Sequence, residues 1–261
     1  MFKNYFKITM RNLWRDKTYT LINIIGLGIG IAAMVWAFQD YRFSFSWDNF
    51  QPDRDNVYRA LSFKEGADKV KGIFPLPLVA AAQNDLPGIE KAVRYDSRGM
   101  NIKAAQSEPF TEQVYFTDPS FFSLFNFPAV KGTNNISDLN AVLLTESIAK
   151  KYFGNQDPID KTLLFYAGES YARPLTVKGI LKDIPMNSSM RFGILTNFEN
   201  QLQPDGSKIL PDDWKWFIDA AFFKIPNQSD ANAFGEKLKK YVPLQNKARE
   251  DWKASGFTLI H

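Results

Sequence analysis

The sequence predicts an α+β protein: one N-terminal transmembrane helix followed by a two-lobed domain outside the membrane, made of ferredoxin-like βαβ units with an inserted mixed α/β lobe. Three observations predict it. Leu21 to Phe38 is an apolar run interrupted only by Asn23, and no later run approaches its length. Strand–helix–strand patterns stand at both ends of the chain beyond that run. Between them lies a long stretch of short apolar runs and turn signals. The boundaries read as a cytoplasmic amphipathic segment over 1–18, a transmembrane helix over 19–41 and a core domain over 42–261. Its first lobe covers about 50–97 plus 213–261, and the inserted lobe about 98–212.

The opening segment places Phe2, Phe6, Met10, Leu13 and Trp14 at three- and four-residue spacings, with Lys3, Lys7 and Arg11 on a neighbouring face. That pattern predicts a basic amphipathic helix lying on the inner leaflet. Lys3, Lys7, Arg11, Arg15 and Lys17 stand against a single acid, Asp16, before the apolar run. The rest of the chain has as many basic as acidic residues, so the formal net charge of +4 is an orientation signal that puts the N-terminus in the cytoplasm. It is not the clustered basic face that nucleic-acid binding requires.

At about 1.5 Å per residue the apolar run covers roughly 27 Å, close to the hydrocarbon thickness once the flanking residues extend it. A cleaved signal peptide is disfavoured by the long basic lead and by the lack of a small-x-small site before Asp40. Trp14, Tyr19, Trp36, Tyr41 and Trp47 suit the two interfacial belts. Gly26, Gly28 and Gly30 do not match a dinucleotide loop, because no strand precedes them and the third glycine is misplaced. Gly26 and Gly30 lie one helical turn apart and form the candidate face for packing against a neighbouring membrane helix.

Composition narrows the chemistry. The chain has no cysteine and a single histidine, His261, which excludes Cys-His and Ser-His-Asp catalysis and zinc sites of His or Cys ligands. Asp and Glu are plentiful but scattered, so no catalytic, cofactor-binding or metal-binding residue is nominated and no cofactor is expected. Without disulfides, burial must hold the fold, and 23 Phe, 10 Tyr and 6 Trp can supply it.

In order along the core domain, Val57 to Phe63 alternates as a strand, and Pro75 and Pro77 open a helix through Leu78, Val79, Ala82 and Leu86 that Pro87 and Gly88 end. Ile89, Val93 and Tyr95 line a second strand, completing a β-α-β unit. Ser120 to Phe125 is a short helix whose Phe121, Phe122 and Phe125 read as core. Leu139 to Leu144 is a strand, after which Thr145 caps a helix stopped by Gly154. GNQDPIDKT lacks the glycine spacing of a phosphate loop and reads as a turn into the strand Lys161 to Tyr166. Leu175 to Lys182 is a half-buried strand, and Gln201 to Asp213, with Pro204, Gly206 and Pro211, is a polar loop closing the insertion. Lys215 to Ile225 is an aromatic strand. Ser229 or Asp230 caps a helix through Ala231, Phe234, Leu238 and Tyr241 that Pro243 ends, and Phe257 to Ile260 begins a last strand. The two β-α-β units combine into a ferredoxin-like sheet.

Several stretches, taken in order, carry a resemblance: NYFKITMRNLWRDK and INIIGLGIGIA at the start, NVYRA at 56–60, TDPSFFSLFNFP at 117–128, LLTESIAKKYFGNQDPIDKTL at 143–163 and VKGILKDIPMNS at 177–188. The chain resembles the N-terminal part of a macrolide-exporter-type (MacB-like, FtsX-like) ABC transporter permease. Asp160 departs from the family pattern, which has glycine there. The resemblance implies a periplasmic core domain between the first and second transmembrane helices. It also implies a homodimer or paired permease, an inner-membrane location, contact with membrane lipid, and a periplasmic or outer-membrane partner. ATP would be hydrolysed by a separate cytoplasmic ABC ATPase subunit whose motion the permease carries across the membrane. Such permeases need further membrane helices, so the chain is expected to be a fragment or a truncated gene product. The competing expectation is a single-pass anchored binding module that works without an ATPase.

Overall fold

The computed structural model describes residues 2–104, 108–167, 171–203 and 206–261; the loop residue Pro204 lies outside them. By internal contacts the chain forms two units, Met1–Asp48 and Asn49–His261.

In the first unit, α1 (Phe2–Arg15) and α2 (Lys17–Ser44) are separated only by Asp16, whose φ of −105° and ψ of 53° leave the helical region. The Thr20 hydroxyl donates back to the Leu13 carbonyl at 3.1 Å and the Lys17 amine sits 5.4 Å from the Trp14 ring centroid, so the break is locally bridged. α2 is 28 residues long, about 42 Å at 1.5 Å per residue, and outruns the expected 19–41 at both ends. No proline or glycine follows the apolar run to stop it, and Gln39 to Arg42 continue the helix into a polar end. Its apolar side chains, from Leu21 to Phe38, are exposed in the isolated chain, which is the condition of a helix whose solvent is lipid.

The second unit contains, in order, β1 (Val57–Lys64), β2 (Val70–Lys71), β3 (Phe74–Pro75), α3 (Leu76–Asp85), β4 (Lys91–Ala104), β5 (Phe110–Thr117), α4 (Phe121–Leu124), β6 (Ala129–Gly132) and β7 (Ala141–Thr145). Then come α5 (Glu146–Phe153), β8 (Thr162–Ala167), β9 (Tyr171–Leu181), β10 (Ile194–Asn197), β11 (Phe217–Ile218), β12 (Ala220–Lys224), α6 (Gln228–Leu238), α7 (Val242–Ala248) and β13 (Ala254–Ile260). Eleven strands join one sheet with the path β13-β1-β12-β4-β5-β10-β7-β9-β6, while β3 and β11 pair separately. At one end, β1 and β4 run parallel with β12 between them, and β12 and β13 run parallel with β1 between them. Two strand–helix–strand units are thus interleaved, and α3 and α6 lie in contact, with Leu78, Ala82, Phe234 and Leu238 all members of one buried core.

At the other end the pairing closes on itself. β4 pairs β5, β5 pairs β10, β10 pairs β7, β7 pairs β9, β9 pairs β8, and β8 returns to β4. A closed ring removes free edges, and alternate residues fill its interior: Ile102, Val114, Phe116, Val142, Leu144, Leu163, Phe165, Leu175, Val177 and Ile194 are all buried. Their sequence neighbours Tyr115, Leu143 and Leu195 turn outward into a second core, where Phe121 is ringed by Tyr95, Phe122, Phe125, Phe127 and Phe192 at centroid distances of 5.0–6.0 Å. The phenylalanine-rich stretch is therefore core, as expected.

Several local expectations change. Asn227, not Ser229 or Asp230, caps α6, accepting from the Ser229 amide at 3.1 Å. Pro243 stands in the first turn of α7 rather than ending α6, where its missing N–H costs nothing. Thr145 occupies the cap position of α5 without a capping bond; Asp183 instead accepts from the Ser147 amide at 3.0 Å, and Glu146 accepts from the Asp183 amide at 3.2 Å. The strand expected over 215–225 is split into β11 and β12 at Asp219, whose amide is drawn to Asp96 at 3.1 Å. Ile89 precedes β4 and packs on the opposite face from Val93 and Tyr95.

Candidate functional site

Gly26 and Gly30 lie in the middle of α2 with open space where a Cβ would stand on either. Among the described residues nothing lies within 4 Å of such a Cβ. Among the described residues no group of three His, Cys, Asp or Glu side chains comes together to hold a metal ion.

Sequence reasoning did not single out the charged stripe along β4. Arg94, Asp96 and Arg98 alternate with Val93, Tyr95 and Ser97, so the strand turns three ionic side chains to one face and apolar or hydroxyl groups to the other. A strand with ionic alternation that is buried on both sides is the signal that could have found them, because buried charges demand partners. β4 is also the strand shared by the two ends of the sheet, pairing β12 through Lys91–Tyr95, β5 through Tyr95–Ile102 and β8 through Asn101–Ala104.

Arg94 ties β4 to Asp118 and Glu199, and Asp96 and Arg98 tie it to Gln201, Trp216 and Asp219. The Arg94 guanidinium donates to both carboxylate oxygens of Asp118, with Nη2 to Oδ1 at 2.6 Å and Nε shared between Oδ1 at 3.0 Å and Oδ2 at 3.1 Å, while the Arg94 backbone amide donates to Asp118 Oδ2 at 2.7 Å. The same Nη2 reaches Glu199 Oε1 at 3.0 Å, and the guanidinium lies 4.0 Å from the Phe198 ring centroid. Burial alone would lower the Arg94 pKa, yet Asp118 and Glu199 together hold it above its ordinary value.

Asp96 has no solvent exposure. Its carboxylate takes the Asp219 amide at 3.1 Å, the Gln201 side-chain amide, and the Arg98 guanidinium at 2.8 Å. Burial is the largest influence and, opposed by Arg98 and Gln201, pushes its pKa up to about 6. Arg98 is the better hydrated partner, and its guanidinium lies 5.0 Å from the Trp216 ring centroid. On the opposite face, Ser97 donates to Asp219 and accepts from Gln113 at 2.9 Å, and Arg59 donates to the Asp219 carbonyl at 3.1 Å. Burial outweighs Asp219 and leaves the Arg59 pKa lowered.

Arg94, Asp96, Ser97 and Arg98 are each engaged by other protein groups. They form a polar pin through which β4 fastens the 198–219 segment and β12 across both ends of the sheet.

With that geometry in place, comparison with known proteins finds one family match, the MacB-like periplasmic core domain, over residues 20–241. The chain is similar to the solved domain assigned to a permease protein from Porphyromonas gingivalis, at 18% identity and a TM-score of 0.56, covering 80% of this chain and 91% of that one. It is similar also to the extracellular domain of the noncanonic ABC-type transporter YknZ from Gram-positive bacteria, at 12% identity and a TM-score of 0.51, covering 79% and 100%. The periplasmic region of MacB from Actinobacillus actinomycetemcomitans aligns at 17% identity and a TM-score of 0.49, covering 79% and 88%. No curated protein sequence matches.

Proposed function

Because the chain belongs to the family of MacB-like periplasmic core domains, we propose that it is a permease subunit of a MacB/FtsX-type ABC transporter, coupling ATP hydrolysis by a cytoplasmic partner to movement of its periplasmic domain. The observation that carries the reading is the extent of the family match, which begins inside α2 and runs through the domain to Tyr241, taking in both the membrane helix and the core. The N-terminus lies in the cytoplasm, supported by the basic residues before the apolar run, and the bulk of the chain lies in the periplasm. The domain works as two lobes: a ferredoxin-like one from β1, α3, β4, β12, α6 and β13, and one built on the closed ring, with β4 as the strand common to both. The subunit pairs with a second permease through the membrane, Gly26 and Gly30 forming the close-packed face.

The absence of cysteine makes orientation directly testable. Single cysteines at Asn4 and Asp138, read with a membrane-impermeant maleimide on intact cells, should label only at Asp138; labelling at Asn4 alone would reverse the topology. The complete gene product purified from native membranes should carry an ATPase with it. Its absence, with no ATP hydrolysis in the preparation, would favour a single-pass anchored binding module. Replacing Gly26 or Gly30 by Leu should reduce permease pairing in membrane crosslinking, and unchanged pairing would remove that face from the account.

A further inference from the structure

Residues four apart on α1 fall into rows that climb the helix together. At about 100° per residue, consecutive rows stand little more than a quarter-turn apart, and rows two residues apart face nearly opposite ways. Phe2, Phe6, Met10 and Trp14 form one row, and Lys3, Lys7, Arg11 and Arg15 form the row beside it. The row opposite the apolar one, Asn4, Ile8 and Asn12, carries no charge, and neither does the last, Tyr5, Thr9 and Leu13. All of these side chains are exposed, and α1 contains no acidic residue.

Two cations near the end of α1 are engaged locally: the Arg15 guanidinium stands 3.8 Å from Asp16, and the Lys17 amine is turned over the Trp14 ring. Lys3, Lys7 and Arg11 make no ion pair among the described residues. α1 is also held close to whatever surrounds α2. Only Asp16 separates the two helices, and backbone bonds cross it from the Asp16 amide to the Asn12 carbonyl and from the Thr20 amide to the Asp16 carbonyl, both at 3.0 Å. With so short a joint α2 fixes the local concentration of bilayer at α1, and a weak attraction to the surface suffices to hold it there.

We propose that Lys3, Lys7 and Arg11 recognise the headgroups of anionic phospholipids, so that the charge of the membrane decides whether α1 lies seated on it. The placement of the row carries the inference. A helix resting on its apolar row brings the neighbouring row to the level of the headgroups, where long basic side chains reach the anionic groups while their methylenes stay on apolar surface. A soluble protein docking from above would meet the opposite row, which is uncharged, so the cations are set for lipid. Each cation near an anionic surface is worth about fivefold in binding, and the three together about a hundredfold. The inference rests on α2 spanning a membrane; it needs neither an ATPase nor a particular orientation.

The test is hydrogen exchange of the full chain in nanodiscs of phosphatidylcholine alone and of phosphatidylcholine mixed with phosphatidylglycerol. The α1 amides should exchange at least about tenfold more slowly in the mixture, and added salt should remove the difference. Lys3→Gln, Lys7→Gln and Arg11→Gln together should abolish it while leaving exchange in phosphatidylcholine unchanged. Adding Asn4→Lys, Ile8→Lys and Asn12→Lys to that variant restores the net charge on the opposite row and should recover little of the effect. Equal exchange in the two lipids, recovery by the displaced charges, or protection that appears only with a copurified ATPase in either lipid would overturn the proposal. α2 is read in the same run: a protected α2 beside an α1 indifferent to lipid overturns this inference alone, whereas fast exchange along α2 overturns the membrane-anchored reading with it.

Discussion

Replacing Asp96 by Asn should change how stability depends on pH more than it changes stability at any one pH. The native carboxyl titrates at about 6 instead of 3.8. At about 1.4 kcal/mol per pKa unit this difference amounts to roughly 3 kcal/mol. Between those values the folded protein holds a proton that the unfolded chain has already released, so ionisation of Asp96 removes stability as the pH rises from about 4 to about 6. The variant keeps the shape of the side chain but cannot ionise. Relative to the unmodified protein it should therefore gain about 2 kcal/mol of that between pH 4 and pH 7, whatever the constant offset from whichever donor, the Asp219 amide or Gln201, loses its acceptor. The full chain in uncharged detergent can be unfolded with urea and followed by circular dichroism in the strand region, where the micelle-bound α2 contributes a constant signal. A difference between the two proteins that stays flat to within about 0.5 kcal/mol across that range would refute the reasoning, since Arg98 would then compensate fully for the burial of the charge.

Gly235→Ala should destabilise by about 1–3 kcal/mol in the same urea assay, against the usual gain of up to 1 kcal/mol for alanine in a helix, because a Cβ there would stand 2.6 Å from the Phe257 carbonyl of β13. Asn227→Ala should cost about 1 kcal/mol through the lost cap of α6, while Ser229→Ala should cost only a few tenths; the reverse order would restore Ser229 as the cap. Asp183→Ala should likewise cost about 1 kcal/mol at neutral pH. Burial acts to raise the Asp183 pKa, but its bonds to Ser147 and Thr145 outweigh burial and lower it, so this contribution should fade as the medium is acidified, seen as converging urea midpoints.

Much of the fold could be read in the residues wherever one strong period acted over many positions. α3, α5 and β9 each alternate or repeat along a single buried face, β1 is apolar enough to be buried on both, and α2 is an apolar run long enough to cross a membrane. The caps were harder, because Asn227, Ser229 and Asp230 are all competent acceptors and only backbone geometry chooses among them. The closure of the ring was out of reach: β10 is four residues long and β5 reads FTEQVYFT, a half-polar pattern whose partners are set by pairing with distant strands. The pin on β4 escaped for a related reason. Arg94, Asp96 and Arg98 look like the solvated side of a strand until the 198–219 segment is laid over them.

The interleaving of the outer strands has a consequence for how the domain comes into being. Val57 of β1 finds its antiparallel partner at Lys224, and Arg59 its other neighbour at Ile260, so a strand made early is completed by segments made much later. Synthesis delivers residues in sequence. β1 and α3 must therefore wait, with β1 paired only to the short β2 and Phe74, Leu78 and Ala82 uncovered, until β12, α6 and β13 have emerged. The strands β5, β7, β8, β9 and β10 lie between and can pair among themselves during that delay, but the ring's sixth member, β4, is anchored in the unfinished sheet. Synthesis thus separates an early-pairing half from a late-sealing one, and the interval between them is when the chain is most open to proteases and to pairing with the wrong edge.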